Sequence, residues 1–351
     1  MTVKAFSNSL RWANILLILA TLAAYLSPFI NPDAFWLFTF AGVAYPFLLL
    51  RNLFFILFWA WRRNRYFLFS LACVLAGLGY LTGFFGFHFF QNEPGKNDLK
   101  VMTYNVADLR GFESEKGEKR EQKVAKLERF AEKYGQPGIL CTQESKGENT
   151  ISALRNAFGF THYFKAKSTA IFSKYPFVRQ DAILFENSSN SCVWADLKTP
   201  AGVVRVYSVH LQSNRMSYTA NKIATEGDLR EKQTWRDIRF VFSRYKQAVQ
   251  VRARQARMVA KHIAQSPHPV IVCGDFNDPP VSYVYRLLSE NLQDSFCEKG
   301  GGLGTTFAGR LPFLRIDYVL ADERFKVLSH RVPKLELSDH LPVLVSLKIV
   351  Q

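Results

Sequence analysis

Three long apolar runs open the chain, at about 13–30, 34–61 and 66–85. A bilayer core of about 30 Å takes ~20 helical residues, so each run is long enough to cross. The pattern predicts a membrane module of three transmembrane helices over 1–90. A cleaved signal peptide would account for the first run only. Arg51 interrupts the second and would snorkel, pair within the bundle or mark a break. Residues 91–99 read as a polar linker, and beyond them the pattern changes to short apolar runs separated by polar turns. Lys100–Val106 and Gly138–Thr142 predict buried strands around a helix over 118–134, with Val124, Leu127, Phe130 and Ala131 on one face. Gly135 and Pro137 stop that helix. Further strands are expected at Ser168–Ser173, Cys192–Leu197, Val203–Val209, Val270–Cys273, Arg315–Leu320, Lys326–His330 and Leu341–Ile349, and a helix over 250–265. Many strands and few helices predict an α/β sandwich of two sheets with helices outside, over 100–351.

Composition sharpens this division. The chain has 351 residues, 48% hydrophobic, with a net charge of +16, which excludes disordered and fibrous classes. Residues 1–90 hold six lysines or arginines and one acid, Asp33. Lys4 and Arg11 precede the first run, and Arg62, Arg63 and Arg65 separate the second from the third. The positive-inside rule then puts the N-terminus in the cytoplasm. Three crossings predict a multi-pass membrane protein whose second domain faces out of the cytoplasm. Five scattered cysteines fit neither a disulfide framework nor a zinc site and read as buried thiols.

One segment holds most of the second domain's excess charge. Residues 215–262 carry twelve lysines or arginines against four acids, interleaved with Trp235, Phe240, Phe242 and Tyr245. They read as a solvated helical hairpin, or as a patch for anionic lipid headgroups or a phosphorylated substrate, with nucleic acid as a further candidate partner.

Candidate chemistry gathers where apolar runs end. Asn105 ends TYNV, Glu144 ends ILCTQE and His210 ends VYSVH. Asp275 and Asn277 lie in GDFND, Asp317 in RIDYVL, and Asp339 and His340 in SDHLPV. Strand ends on one sheet edge converge even when tens of residues separate them in sequence. Singly, Asn105 would be a turn residue and His210 an interior histidine; the ordered set points to a site. Two other features read more plainly. Gly300–Gly304 reads as a surface or substrate-facing loop, and Arg315 as a partner for a strand-end acid.

The ordered set, GDFN and SDHLPV above all, with STAIFSKYP at 168–176, resembles the endonuclease/exonuclease/phosphatase superfamily over about 99–350. The resemblance implies a DNase I-like four-layer α/β sandwich of two mixed sheets, here preceded by three transmembrane helices as in membrane-anchored bacterial members. It also implies Mg²⁺- or Mn²⁺-dependent hydrolysis of a phosphate ester, with Glu144 as principal metal ligand and Asn105 and Asp339 near the same ion. Asp275 would orient or deprotonate the attacking water, Asn277 and His210 would contact the phosphate, and His340 would pair with Asp317. One departure stands out: members similar to AP endonucleases carry an acid two residues after the motif asparagine. That position is Ala107 here, and Asp108 follows it. The expected activity is a phosphodiesterase or phosphomonoesterase acting on a lipid headgroup or small phosphorylated compound. A periplasmic DNA or RNA nuclease is the alternative, and a non-catalytic membrane binding protein the third.

Overall fold

The computed structural model describes residues 3–90, 95, 98–109, 120–200, 202–214, 230–309 and 313–350. Most of the expected linker and residues 215–229 of the basic segment lie outside them. The chain divides into two compact units. One contains residues 1–84, 213–253 and 278–286; the other contains 85–212, 254–277 and 287–351. The first therefore takes in two segments that the sequence pattern assigns to the sandwich.

The second unit holds two six-stranded sheets. In the first, β2 (Leu99–Asn105), β3 (Ile139–Gln143), β4 (His162–Ala166) and β5 (Thr169–Ser173) combine with β13 (Phe325–Arg331) and β14 (Val343–Ile349), in the order β13-β14-β2-β3-β5-β4. In the second, β6 (Phe177–Leu184), β7 (Ser191–Thr199) and β8 (Gly202–His210) combine with β9 (Val270–Asp275), β10 (Leu292–Asp294) and β12 (Asp317–Asp322), in the order β10-β12-β9-β8-β7-β6. Each sheet has one parallel pair, β2 with β3 and β8 with β9. Parallel neighbours bring two C-terminal ends to the same edge.

Alternate residues on these strands face opposite sides. Leu99 and Val101 of β2, Ile139 and Cys141 of β3, Val204 and Val206 of β8, Ile271 and Cys273 of β9 and Val319 of β12 form the core between the sheets. The other side of the first sheet, with Met102, Tyr104, Leu140 and Phe172, packs on α6 (Arg120–Tyr134) and α7 (Glu148–Phe158). A helical segment at 254–264 lies by the outer side of the second sheet, where the Tyr207 hydroxyl meets His262 Nδ1 at 2.9 Å. Helix, sheet, sheet and helix make the expected four layers. The expected loop at Gly300–Gly304 contains a strand, β11 (Gly301–Leu303), paired antiparallel with β1 (Phe85–Phe87). Arg315 meets its acid, Asp294, at 2.7 Å.

In the first unit, α1 (Val3–Leu26) and α3 (Phe38–Trp61) are joined by the short α2 (Pro32–Phe35). Two helical stretches, Asn8–Phe29 and Phe38–Trp61, are long and apolar enough to cross a membrane. The expected third span at 66–85 is instead two pieces, α4 (Phe67–Ala76) and α5 (Leu78–Leu81), parted at Gly77. The reason is local: the Tyr25 hydroxyl donates to the Cys73 carbonyl at 3.0 Å. Its ring fills the space where any β-carbon on residue 77 would sit. Buried polar groups also link the helices. Asn14 donates to Ser70 at 2.7 Å, Trp59 donates to Asn14 at 3.0 Å, and Asn52 donates to Thr21 at 2.8 Å. The helix expected at 250–265 begins much earlier, as α8 (Lys232–Ala264).

The close packing of β9 on β8 gives a test. A β-carbon at Gly274, where φ is 142°, would lie 2.0 Å from the Val209 carbonyl oxygen. Gly274→Ala is expected to cost about 3 kcal/mol through overpacking and backbone strain. That should lower the thermal unfolding midpoint of the purified protein by roughly 6–12 °C.

Candidate active site

The rows of side chains that build the core between the sheets turn polar at one end. On β2 the row Leu99, Val101, Thr103 ends in Asn105; on β8 the row Val204, Val206, Ser208 ends in His210. On β9, Ile271 and Cys273 lead to Asp275, and antiparallel β12 begins with Asp317 before Val319. The register sets His210 opposite Asp275 and Asp275 opposite Asp317. Three polar side chains from three adjacent strands therefore face the first sheet together. Asn105 meets them from the other side, its amide nitrogen donating to Asp275 Oδ2 at 3.0 Å.

Each remaining group is held by a defined contact. Glu144, in a left-handed conformation at φ 56° just beyond β3, brings Oε1 within 3.5 Å of the Asn105 amide. His210 Nε2 lies 3.9 Å from both Glu144 and Asp275. Asn277 donates its backbone N–H to Asp275 Oδ1 at 2.8 Å, and its side chain to the Leu211 carbonyl at 3.1 Å. His340 Nδ1 stands 2.9 Å from Asp317 Oδ2, and Nε2 stands 3.8 Å from Asp275. Asp339 is half-buried just before it. All eight residues singled out from the sequence thus belong to one unit. The structure links seven of them by these contacts and places Asp339 on the same turn as His340.

Asp275 and Asp317 are 1% exposed, and no lysine or arginine pairs with either, with Glu144 or with Asp339 among the described residues. Burial raises the Asp275 pKa, opposed by His340, and neighbouring Asp317 raises it further. Burial opposes charge on His340, but Asp317 and Asp275 outweigh it and push the imidazole up to about 10. The centre therefore carries more carboxylates than cations, a setting that favours a bound cation. Asp275, Asp317 and His340 each bring a donor atom within 4.8 Å of the others. His340 and Asp317 already bond directly, so that trio reads as a proton-holding chain. Glu144 is different: its carboxylate is 37% exposed beside Asn105, and hard oxygens open to solvent suit Mg²⁺ or Mn²⁺.

Asp108 does not replace the missing acid at Ala107. Its Oδ1 accepts from the backbone N–H groups of Lys146 and Gly147 at 3.2 and 3.1 Å, and from the Thr150 hydroxyl at 2.9 Å. It ties the loop ahead of α7 to the first turn of that helix. Some supporting residues carried no signal in the sequence. Ser338 resembles any turn serine, yet its hydroxyl donates to the Asn105 carbonyl at 2.6 Å and accepts from the His340 N–H at 3.1 Å. Thr306 Oγ1 accepts from the N–H groups of Ile316 and Asp317, both at 3.1 Å. The Phe307 ring packs edge-on against His340 at 5.1 Å.

Comparison with known proteins places this geometry. Residues 102–340 match the family described as Endonuclease/Exonuclease/phosphatase family, and residues 7–84 match one described as a domain of unknown function. No curated protein matches the chain. Among solved structures, an endonuclease/exonuclease/phosphatase family protein from Bacteroides thetaiotaomicron is 19% identical, covering 73% of this chain and 96% of its own, with a TM-score of 0.52. A mannosyl-6-phosphatase of the same species is 18% identical, covering 72% and 100%, with a TM-score of 0.52. The human Nocturnin catalytic domain with bound sulfate is 18% identical, covering 74% and 97%, with a TM-score of 0.51. These likenesses establish a DNase I-like fold.

Two measurements test the site's electrostatics. In metal-free protein the raised His340 pKa contributes stability that is full below about 6.5 and is lost as pH rises through about 10. Imidazole ¹⁵N shifts should report a doubly protonated His340 at pH 8, and Asp317→Asn should bring its titration down toward 6.5. Asp108→Ala should cost about 1 kcal/mol through the hydrogen bonds it removes ahead of α7, while leaving the metal-concentration dependence of activity unchanged.

Proposed function

The chain belongs to the endonuclease/exonuclease/phosphatase family, and we propose that it is a membrane-anchored, divalent-metal-dependent phosphoesterase. Its substrate is a phosphodiester or phosphomonoester on a lipid headgroup or small phosphorylated compound. The observation that carries this reading is the convergence of His210, Asp275, Asp317 and His340 with Asn105 and Glu144 where the polar ends of both sheets meet. Members of the family are hydrolases of phosphate esters.

In the proposed mechanism Asp275 orients the attacking water and takes its proton. Asn105 and the Asn277 N–H hold its two oxygens in place. Burial makes this carboxylate a stronger base than an exposed aspartate. His340, kept protonated and aimed by Asp317, neutralises charge on the phosphoryl oxygens, and His210 and Asn277 supply further donors. Glu144, with Asn105 and Asp339 as neighbouring donors, would hold Mg²⁺ or Mn²⁺. That ion would supply charge neutralisation on the phosphate and leaving oxygen.

Apolar surface supports the membrane reading. Leu16, Leu19, Phe54 and Leu57 are 56–71% exposed on the two long helices, a display that lipid would cover. Contacts also support three passages. Asn14 pairs with Trp59 and Ser70, near the arginine-bearing turn at 62–65. Tyr25 stacks on Tyr80 at 5.3 Å and lies 5.8 Å from Tyr45. The broken third segment thus runs between the same two levels as α1, and residue 84 follows at the end away from Arg11. Together with the positive-inside rule, this supports the reading of a catalytic unit outside the cytoplasm, in the periplasm. A nuclease is the competing activity.

Purified full-length protein is tested with Mg²⁺ or Mn²⁺ on bis-(p-nitrophenyl) phosphate, p-nitrophenyl phosphate and single-stranded DNA. Turnover should require the metal and vanish in Glu144→Ala. Asp275→Asn and His340→Ala should each lower kcat by roughly 10²–10⁴-fold with folding intact. Faster turnover of DNA than of either small ester, falling steeply with salt, would favour the nuclease. Full activity in chelator would remove the metal from the mechanism.

A further inference from the structure

The first eighteen or so residues of α8 have a composition that packing does not explain. The inner face of this stretch is buried, with Thr234, Tyr245, Ala248 and Val249 turned to the protein. The outer face combines two residue types that rarely share a water-exposed helix surface. Trp235, Phe240 and Phe242 are 50, 48 and 45% exposed, and Arg236, Arg239, Arg244 and Lys246 are exposed among them. The Arg244 guanidinium lies over the Phe240 ring, 5.3 Å from its centre.

Within the same compact unit this face continues onto the start of the second long apolar helix. Phe242 packs against Phe40 at 5.1 Å and Trp36 at 6.4 Å, and Tyr245 stacks on Phe40 at 4.1 Å. Lys246 Nζ stands 6.0 Å from the Trp36 ring centre. The helix is therefore level with the end of a span. That is the depth at which a bilayer passes from acyl chains to charged headgroups, and where aromatic rings and long cations are most stable. Phe29 and Phe35, 58 and 49% exposed, extend the aromatic belt at that level, with the Arg286 guanidinium 4.6 Å from the Phe29 ring centre.

We propose that residues 232–246 form an interfacial helix that lies in the headgroup layer and binds anionic phospholipid. The aromatics enter the boundary of the acyl region, and the arginines and lysine pair with phosphate. The occupant is set by charge complementarity and by continuity with the apolar surface of the bundle. This rests on the membrane reading proposed above, and the test separates the two.

Ser243 is exposed on the same face, so Ser243→Cys in a Cys297→Ser background accepts an environment-sensitive fluorophore on the full chain. A second probe, at Leu53→Cys beside Asn52, reports on the bundle. Both are read in nanodiscs of phosphatidylcholine alone or with about a third phosphatidylglycerol, using lipids that carry quenchers at chosen depths. The 243 probe should shift to the blue and be quenched from the headgroup boundary, more strongly with phosphatidylglycerol. Replacing Arg236, Arg239 and Arg244 by glutamine should lower the ratio of docked to undocked helix by roughly fivefold per charge, without changing hydrolysis of a soluble ester. A quenched 53 probe with a solvated 243 probe overturns the interfacial helix and leaves the anchored bundle intact. Neither probe quenched overturns both. A 243 response to oligonucleotide or rising protein concentration, but not to anionic lipid, assigns the face to nucleic acid or a second copy and overturns the proposal.

Discussion

Several hydrogen bonds cross between the two sheets of the catalytic unit, and the one on which the site's geometry turns runs from Asn105 to Asp275. Both residues end rows that are apolar for most of their length, so each sits where the core meets the site. A carboxylate buried as deeply as Asp275 costs several kcal/mol unless its oxygens are satisfied. One oxygen takes the Asn105 amide and the other the Asn277 N–H. The contact therefore closes the end of the sandwich and also fixes the group best placed to handle a water. The same contact thus serves both the packing of the sheets and the orientation of the chemistry.

The same period-two rows explain what could be read in advance. Every central strand was legible from its apolar run, and the residues ending those runs are the ones the structure gathers at one edge. Glu144 and Asn277 stand just outside their strands in left-handed backbone, yet their motifs located them. Residues that act on the backbone were not legible. Ser338 and Thr306 serve through hydroxyls that any turn might carry, and only the fold brings them to Asn105 and Asp317. The half-exposed edge strands at 162–166 and 177–184 lacked the burial contrast that marks a strand. The early start of α8 was hidden by aromatics and charges that alternate too closely to give one apolar face.

The N-terminal bundle shows a different limit of pattern reading. Hydropathy alone suggested three uniform spans, because it scores Asn14, Thr21, Asn52 and Ser70 only as interruptions. In the structure they are the contacts between helices. In an apolar surrounding such bonds fix which helix faces meet, while apolar side chains pack nearly as well in several registers. Tyrosine hydroxyls do the same at the other end, where one takes a backbone carbonyl and a glycine makes room for its ring.

The cysteines carry a consequence for where such a domain can work. Cys73, Cys141, Cys192 and Cys273 are buried and unpaired by disulfides. Burial holds the Cys192 and Cys273 thiols well above the ordinary range. Thiol–disulfide exchange needs an accessible thiolate, and these two offer neither the charge nor the access. An oxidising surrounding would therefore leave their covalent state as a reducing one does, and the half-buried Cys297 is the thiol of the sandwich that remains open to exchange.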